Sequence, residues 1–421
     1  MPVFVPGLMD EIRARFAHVD TCPFEGPRVF FENAGGALTL KSVAETSAAY
    51  ASYPDNQGRD NPASHAMMAA IDKGKADMRT FFNARSGQVF VGESGTEVLF
   101  RLVRTAALGA KSGGVMLGST LEHPASRSAM TRWAEVTGRP HVLVPHDDVT
   151  GTVDAAAYRK HITPEVRVAT IIQTSPVTGI SVDVTAIAAA IREKSPECFM
   201  IVDGIQHASH GHIDLAAYDV DGYAVSPYKV FSRHGYGVGW ASDRLTALPK
   251  EGVIGSPPTT WELGTRDAGS YATFSDVVEY FVWLGGGLTK SSDRRARVEA
   301  AAKAIHDHEQ QLGHAMTHGT GNLHGLAELP GVTIIAGADN AGREGVVSLT
   351  LDHMESVELV AFLNARGIRT HARMDDHYSG NVLGPLGLKS CIRVSFSHYN
   401  TQQEVAQFLT AMNEASGPSL P

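Results

Sequence analysis

The chain has 421 residues, of which 43% are hydrophobic and 19% are charged, and its formal net charge is −9. This composition supplies enough apolar surface for a large core and excludes global disorder. An acidic chain has no general attraction for phosphate backbones, so nucleic acid is not an expected partner. The N-terminus does not resemble a secretory signal, and no run of about 18 apolar residues predicts a membrane span. Three scattered cysteines, Cys22, Cys198 and Cys391, form no disulfide or zinc pattern, which favours a cytoplasmic location.

Strands and helices alternate through the middle of the chain. The predicted strands are short apolar runs at 87–92, 113–119, 141–145, 166–174, 199–203, 222–226 and 237–241. Helices are expected between them, and apolar residues at 99, 102, 103, 106 and 107 follow the helical repeat, as do segments 125–137 and 184–195. Continuous apolar runs favour strands that are buried on both faces. We therefore predict an α/β fold with a mostly parallel sheet of the seven-stranded type, covered by helices.

The pattern changes after a glycine-rich break at 285–292. One long helix is expected over 293–316, followed by strands at 332–336, 345–351, 367–373 and 391–396 and helices at 355–366 and 401–415. We predict three units on this basis. They are an N-terminal segment (1–29) that packs on the small domain, a large domain (30–290) and a smaller C-terminal α+β domain (291–421).

Three polar features stand at the ends of predicted strands, where open parallel sheets bind ligands. The first is SGTE at 94–97, where backbone N–H groups at a helix start suit a phosphate, although an ordinary N-cap at Ser94 explains it equally well. The second is Asp203, which ends an apolar strand and either meets a partner group or caps the next turn. The third is Lys229, which follows a strand; a lone lysine is most often a solvated surface group.

Taken together, the three features make one chemical proposal. A phosphate cradle, a carboxylate and a lysine at neighbouring strand ends are the groups that pyridoxal phosphate requires. The lysine forms the covalent link to the cofactor, the carboxylate keeps the pyridine nitrogen protonated, and the cradle anchors the phosphate.

At this point the chain resembles a known family over nearly its whole length. It looks like a fold-type I, class V aminotransferase of the cysteine desulfurase and isopenicillin N epimerase-like branch. Eight motifs in order carry the resemblance: FFENAGG (30–36), SGTE (94–97), EHPAS (122–126), TSPVTG (174–179), VDGIQ (202–206), SPYK (226–229), ELGT (262–265) and IRVSFSHYNT (392–401).

The resemblance implies a role for each matching residue. Lys229 would hold the cofactor and shuttle a proton at Cα, Asp203 would pair with the pyridine nitrogen, and His123 would stack on the ring. Gln206 would bond the phenolic oxygen. The phosphate would be held by Gly95, Thr96 and Ser226, and by Thr265 from a second subunit, which implies a homodimer with shared sites. On the substrate side, Arg393 would clamp the carboxylate, and Asn33 and His65 are further candidates.

The departures from the family bear on the reaction. The desulfurases carry a nucleophilic cysteine in a mobile loop, whereas the corresponding stretch here, THARMDDHYSGN (370–381), has none. We therefore expect no persulfide chemistry at that position, and we expect the polar loop 371–378 to select the substrate. Cys391 is interpreted as a small core residue, although strand alternation puts it on the same face as Arg393.

The expected activity is a pyridoxal-phosphate-dependent reaction at Cα of a small amino acid. A class V aminotransferase reaction is the first choice, and a β- or γ-elimination (lyase) or an epimerisation is the alternative. A catalytically silent cofactor-binding regulator is a further alternative, but the chain has no spare basic domain. No metal is expected, because the pair His314 and His318 lacks a nearby third ligand and is typical of a solvated helix face.

Overall fold

The computed structural model describes residues 3–417. Its largest sheet has seven strands: β1 (Gln88–Gly92), β2 (Val115–Ser119), β3 (His141–Val144), β4 (Val166–Ile172), β5 (Phe199–Asp203), β6 (Gly222–Val225) and β7 (Gly237–Ala241). Their order across the sheet is β1-β7-β6-β5-β4-β2-β3. Strands β2 to β6 run parallel, and β7 runs antiparallel to both of its neighbours. The predicted mostly parallel sheet is confirmed.

Helices cover both faces of this sheet. In chain order the helices are α1 (Pro6–Ala14), α2 (Lys41–Ala51), α3 (Pro62–Phe82), α4 (Gly95–Gly109), α5 (Pro124–Thr137), α6 (Ala155–Arg159), α7 (Val184–Lys194), α8 (Leu215–Tyr218), α9 (Asp243–Thr246), α10 (Ala268–Gly286), α11 (Arg294–His318), α12 (Ser356–Asn364), α13 (Gly380–Leu383) and α14 (Gln402–Ser416). Alternation along β1 illustrates the layering. Val89 and Val91 join the core that contains α10, whereas Phe90 joins the core that contains α4 and α5.

The C-terminal part of the chain builds a second sheet. Its strands are β8 (Val332–Ile334), β9 (Val346–Leu351), β10 (His371–Met374) and β11 (Ser390–Ser395), in the order β8-β9-β11-β10, and every pair is antiparallel. Helices α12 and α14 pack on it around buried residues such as Leu349, Leu363 and Phe408. This is the predicted α+β unit, in which an antiparallel sheet is covered by helices.

The single strand predicted over 367–373 is wrong in detail. Ile368–Arg369 pairs in parallel with Val29–Phe30, and only the later segment, His371–Met374, joins the second sheet. The run divides because its two halves find different hydrogen-bonding partners. The sequence pattern gives no sign of this division.

The N-terminal segment contacts both parts of the chain. The Arg13 guanidinium donates to the Tyr399 carbonyl and to Glu404 Oε1, while Phe16 packs edge-on against Phe231 and Tyr280. The domain bounds at residues 29 and 290 stay predictions. Among residues 3–417, no helix has the length and apolarity that a membrane crossing requires.

Candidate active site

The carboxyl ends of β5 and β6 and the start of α4 surround a cavity. Its lining residues are Thr96, His123, Ile172, Thr174, Pro176, Asp203, Ile205, Gln206, Ser226, Tyr228 and Lys229. Because parallel strands end at one edge of the sheet, residues that are far apart in sequence meet there. The structure thus brings together the residues predicted from the SGTE, EHPAS, VDGIQ and SPYK motifs.

Lys229 is buried at the end of a short 3-10 turn that follows β6. Its Nζ donates to Gln206 Oε1 at 3.0 Å. Burial, and then the Arg393 charge, lower the pKa of Lys229 to about 7, and Asp203 opposes the shift. Near neutral pH a large share of this amine is therefore uncharged, which is the form that attacks a carbonyl carbon.

Asp203 is buried at the last position of β5. Its Oδ1 accepts from the Ile205 backbone N–H at 3.1 Å, and its Oδ2 accepts from Ser126 Oγ at 3.3 Å. Burial raises the pKa of Asp203, while the Ile205 hydrogen bond and the Lys229 charge act in the opposite direction. Two long hydrogen bonds do not use all the lone pairs of a carboxylate. Asp203 can therefore accept a further hydrogen bond from a cationic ligand in the cavity.

The SGTE segment forms the start of α4, opposite Ser226. Ser94 Oγ caps the helix by accepting from the Glu97 N–H at 3.1 Å, so the ordinary N-cap interpretation holds. Among the described residues, the N–H groups of Gly95 and Thr96 have no acceptor, and the helix dipole favours an anion beside them. A Cβ on Gly95 would lie 2.2 Å from Ser226 Oγ, so glycine is needed for this close approach.

His123 lines the same cavity as the N-cap of α5. Its Nδ1 accepts from the Ala125 N–H at 3.1 Å, which leaves the ring proton on Nε2. Burial, and then the charges of Lys229 and Arg373, lower the pKa of His123 to about 3. The ring is therefore neutral near neutral pH. A neutral ring can stack on a flat ligand without placing a charge in a site that excludes water.

The three predicted substrate residues and Thr265, which was predicted to hold the cofactor phosphate, lie in three different environments. Arg393 is buried on β11 and its Nη1 donates to the carbonyl of Pro176, a cavity residue, at 3.0 Å. Asn33 is turned inward, and its amide is engaged with the Ser395 carbonyl and the Tyr399 hydroxyl. His65 has a 65% exposed side chain on α3 beside Asp60, and Thr265 is exposed on the loop before α10. None of these four residues is among those that line the cavity of their own chain, although Arg393 contacts the lining through Pro176.

A buried hydrogen-bond network stands behind the cavity, and the sequence analysis missed it. Gln206 Nε2 lies 3.2 Å from His210 Nε2, and His210 Nδ1 lies 2.7 Å from Glu309 Oε2 on α11. Burial lowers the pKa of His210, but the Glu309 carboxylate outweighs it and the net shift is upward. The network joins α11 to the segment that follows β5. The VDGIQHASH run places His210 one helical turn after Gln206, which is the signal that could have indicated it.

A second missed pair supports the cavity wall. Thr174 Oγ1, from the lining, donates to Glu344 Oε2 at 2.7 Å, and Glu344 Oε1 lies 2.8 Å from His207 Nδ1. The EHPAS motif contains two further groups that were not singled out, Ser126 and Glu122. Burial raises the pKa of Glu122 to about 8, so this acid is largely neutral beside Asp203.

These residues fit pyridoxal phosphate. A Cβ on Gly95 would fill the space between Gly95 and Ser226, where the α4 N–H groups and Ser226 suit a phosphate. Asp203 offers a buried anion to a pyridinium nitrogen. Lys229 supplies an amine with a lowered pKa. The part of the chain between residues 3 and 417 contains no group of three acidic, cysteine or histidine residues arranged to hold a metal.

Comparisons with known proteins bear on the family and the fold of the chain. The chain is 24% identical to a probable cysteine desulfurase of Vibrio cholerae, covering 97% of this chain and 98% of that protein. It is 26% identical to the aminotransferase-like protein FGM3 of Gibberella zeae, covering 96% and 97%. An apo cysteine desulfurase from Thermococcus onnurineus superposes with a TM-score of 0.80 at 20% identity, covering 92% of this chain and 94% of the other, and thus shares the fold.

The sequence profile described as Aminotransferase class-V matches residues 29–280 and 288–408. This match takes in every motif of the cavity and both sheets. The chain therefore belongs to the class V aminotransferase family, whose members depend on pyridoxal phosphate.

Proposed function

We propose that this protein uses pyridoxal phosphate to labilise a bond at Cα of a small amino acid, in a reaction of the aminotransferase type. The observation that carries the proposal is the placement of Lys229 and Asp203 in one buried cavity. When bound, pyridoxal phosphate supplies an electron sink for the bond that breaks. An elimination or an epimerisation uses the same groups, so only the fate of the substrate separates these alternatives.

Each side chain of the cavity has a separate role in the proposed reaction. Lys229 Nζ, with a pKa near 7, can take a proton from Cα and return it near neutral pH. Asp203 would hold a proton at the pyridine nitrogen of the bound cofactor, and Gln206, which contacts His210 on its other side, orients the Lys229 amine. The neutral imidazole of His123 would stack on the cofactor ring without adding a charge.

A spectral titration with a panel of amino acids tests the proposal. Conversion of the bound cofactor to its amine form, with release of an oxo acid, supports transamination. Release of ammonia together with an oxo acid indicates elimination, and solvent-hydrogen exchange with inversion at Cα indicates an epimerase. If no amino acid changes the spectrum of the loaded protein, the proposal is overturned and a regulator becomes the better interpretation.

Arg393→Lys should weaken substrate capture more than cofactor binding. A point charge cannot reproduce the two-pronged contact of a guanidinium with a carboxylate, and we expect KM to rise at least about tenfold. The measurement is KM for the best amino acid beside Kd for pyridoxal phosphate. Arg366→Lys is the matched control, since Arg366 pairs with Glu414 at the surface. An unchanged KM for every amino acid would remove Arg393 from the substrate site.

Cys391→Ser should leave turnover within about twofold of the wild type, because Cys391 behaves as a core residue. Its side chain is buried beside Ile180 and Leu383, and burial raises the pKa of its thiol to about 11, so it is not a thiolate at neutral pH. The test measures alanine release from cysteine and mass spectrometry of the thiol. A persulfide on Cys391, lost together with activity in the serine variant, would make the protein a desulfurase.

Thr265→Ala should lower affinity for pyridoxal phosphate by about tenfold to a hundredfold, the loss of one hydrogen bond to a charged group. Thr265 is exposed in its own chain, in a loop that also exposes Val253 and Ile254, which is expected if the loop reaches a second subunit. Mixed dimers of Thr265→Ala and Lys229→Ala chains would locate the defect. A fully active monomer in solution would contradict the shared site.

We also propose a cytoplasmic location. All three cysteines are free and buried. Reduced thiols of this kind are usual in a reducing compartment.

A further inference from the structure

Two arginines share one face of the second sheet, next to the cavity. In the pairing of β10 with β11, His371 lies opposite Arg393 and Arg373 lies opposite Cys391. Because side chains alternate along a strand, these four residues lie on the same face. That face meets the first part of the chain, since Cys391 packs against Ile180 and Arg393 bonds the Pro176 carbonyl.

Neither arginine has a carboxylate partner. Among residues 3–417, no ion pair includes Arg393 or Arg373, whereas Arg366 and Arg369 nearby in sequence each pair with a glutamate. Arg393 is buried and its Nε has no hydrogen-bond acceptor. Arg373 is half-buried and uses its Nε to donate to Ser379 Oγ at 2.8 Å, which leaves both of its terminal nitrogens without an acceptor among the described residues.

The charge of Arg373 reaches the catalytic groups. Burial is the largest cause of the lowered pKa of Lys229, His123 and Arg393, and the Arg373 charge lowers all three further. Two carboxylates oppose these charges: Glu32 acts on Arg393 and lies 3.6 Å from His371, and Asp376 acts on Arg373. Among residues 3–417 neither carboxylate forms an ion pair with these arginines, and Asp376 accepts from the backbone N–H groups of Tyr378 and Ser379.

One guanidinium is sufficient for the α-carboxylate of an amino acid. A second guanidinium, half-buried at the same edge and with no ion-pair partner among residues 3–417, is available to a second anionic group of a ligand. We propose that Arg373 binds an anionic side chain of the substrate, so that the preferred amino acid carries a second carboxylate. This inference rests on the proposed function, and it narrows the small amino acid to an acidic one.

The test measures binding separately from reaction. Isothermal titration of the holoenzyme compares succinate and glutarate with their half-amides, succinamate and glutaramate, which differ by one negative charge. At least one dicarboxylate should bind about tenfold or more tightly than its half-amide, the difference expected for a charge-assisted pair. In Arg373→Gln this preference should fall below about twofold while the half-amide binds as before. Arg366→Gln, as the matched surface control, should keep the preference.

The outcomes are distinct. Equal affinity for the two ligand classes in the wild type overturns the inference, and so does an equal loss for both classes in Arg373→Gln. The proposed function has its own readout, the change that amino acids cause in the cofactor spectrum. Dicarboxylate preference without a spectral response to any amino acid, aspartate and glutamate included, would support the anion site and refute the reaction. A spectral response to neutral amino acids, without any preference for dicarboxylates over half-amides, would support the reaction and refute the anion site.

Discussion

Replacing Lys229 with alanine should abolish turnover and the covalent attachment of pyridoxal phosphate while the fold is kept. Among the described residues, the Nζ has one hydrogen-bond partner, Gln206 Oε1, and burial already disfavours its charge, so removing the amine costs little stability. Because Lys229 is both the attachment point and the proton carrier at Cα, we expect kcat to fall by at least about 10³-fold. Borohydride reduction of the wild type and peptide mapping should place the pyridoxyl group on Lys229.

Two controls make this result specific. Lys303→Ala, which removes an exposed lysine paired with Asp307, should leave attachment and turnover unchanged. A small amine added to Lys229→Ala should restore part of the proton transfer, because the cavity left by the side chain can admit it. A pyridoxyl label on any other lysine would refute the assignment.

Attachment should also depend on pH. Only the neutral amine attacks the aldehyde, so the rate at which the apoprotein takes up the cofactor should fall as the pH drops through about 7, following the pKa of Lys229. A rate that is flat between about pH 6 and 8 would show that a different step or a different group limits attachment.

The residues of this site that could be predicted from the sequence are those whose position depends on local sequence pattern. The strands were readable because β4 and β5 are continuous apolar runs, and Asp203 and Lys229 stood out as charges placed where such runs end. Ser94 and the glycine after it could be placed at a helix start from local pattern alone. Each of these signals is short in sequence, so no tertiary information is needed to find it.

The missed features depend on tertiary contacts. Glu309 lies 99 residues beyond His210 and is one of several charged residues on a polar-looking helix, so its burial could not be inferred from α11 alone. The division of segment 367–373 likewise depends on Val29–Phe30, which is more than 300 residues earlier. That Arg373 forms no ion pair among residues 3–417 is a property of the whole fold, so the sequence of loop 371–378 could not show it by itself.

Asp203→Asn should bind pyridoxal phosphate with similar affinity and yet slow proton removal from Cα by at least about 10²-fold. The amide keeps the shape of the carboxylate, and its oxygen can still accept from the Ile205 N–H, so the change isolates the charge. A neutral amide cannot hold the pyridinium proton, and without that proton the ring withdraws electrons from Cα less strongly. Exchange of the Cα hydrogen for deuterium from solvent measures this step directly.

The matched control for this change is Ser126→Ala, which removes the other hydrogen bond to Asp203 and leaves the charge in place. We expect it to slow exchange by less than about tenfold, as the loss of one neutral donor implies. Reconstitution of Asp203→Asn with an N-methylated cofactor, which carries a fixed positive charge, should recover much of the lost rate. Wild-type exchange in Asp203→Asn would mean that the carboxylate supports the structure of the cavity and takes no part in activating the substrate.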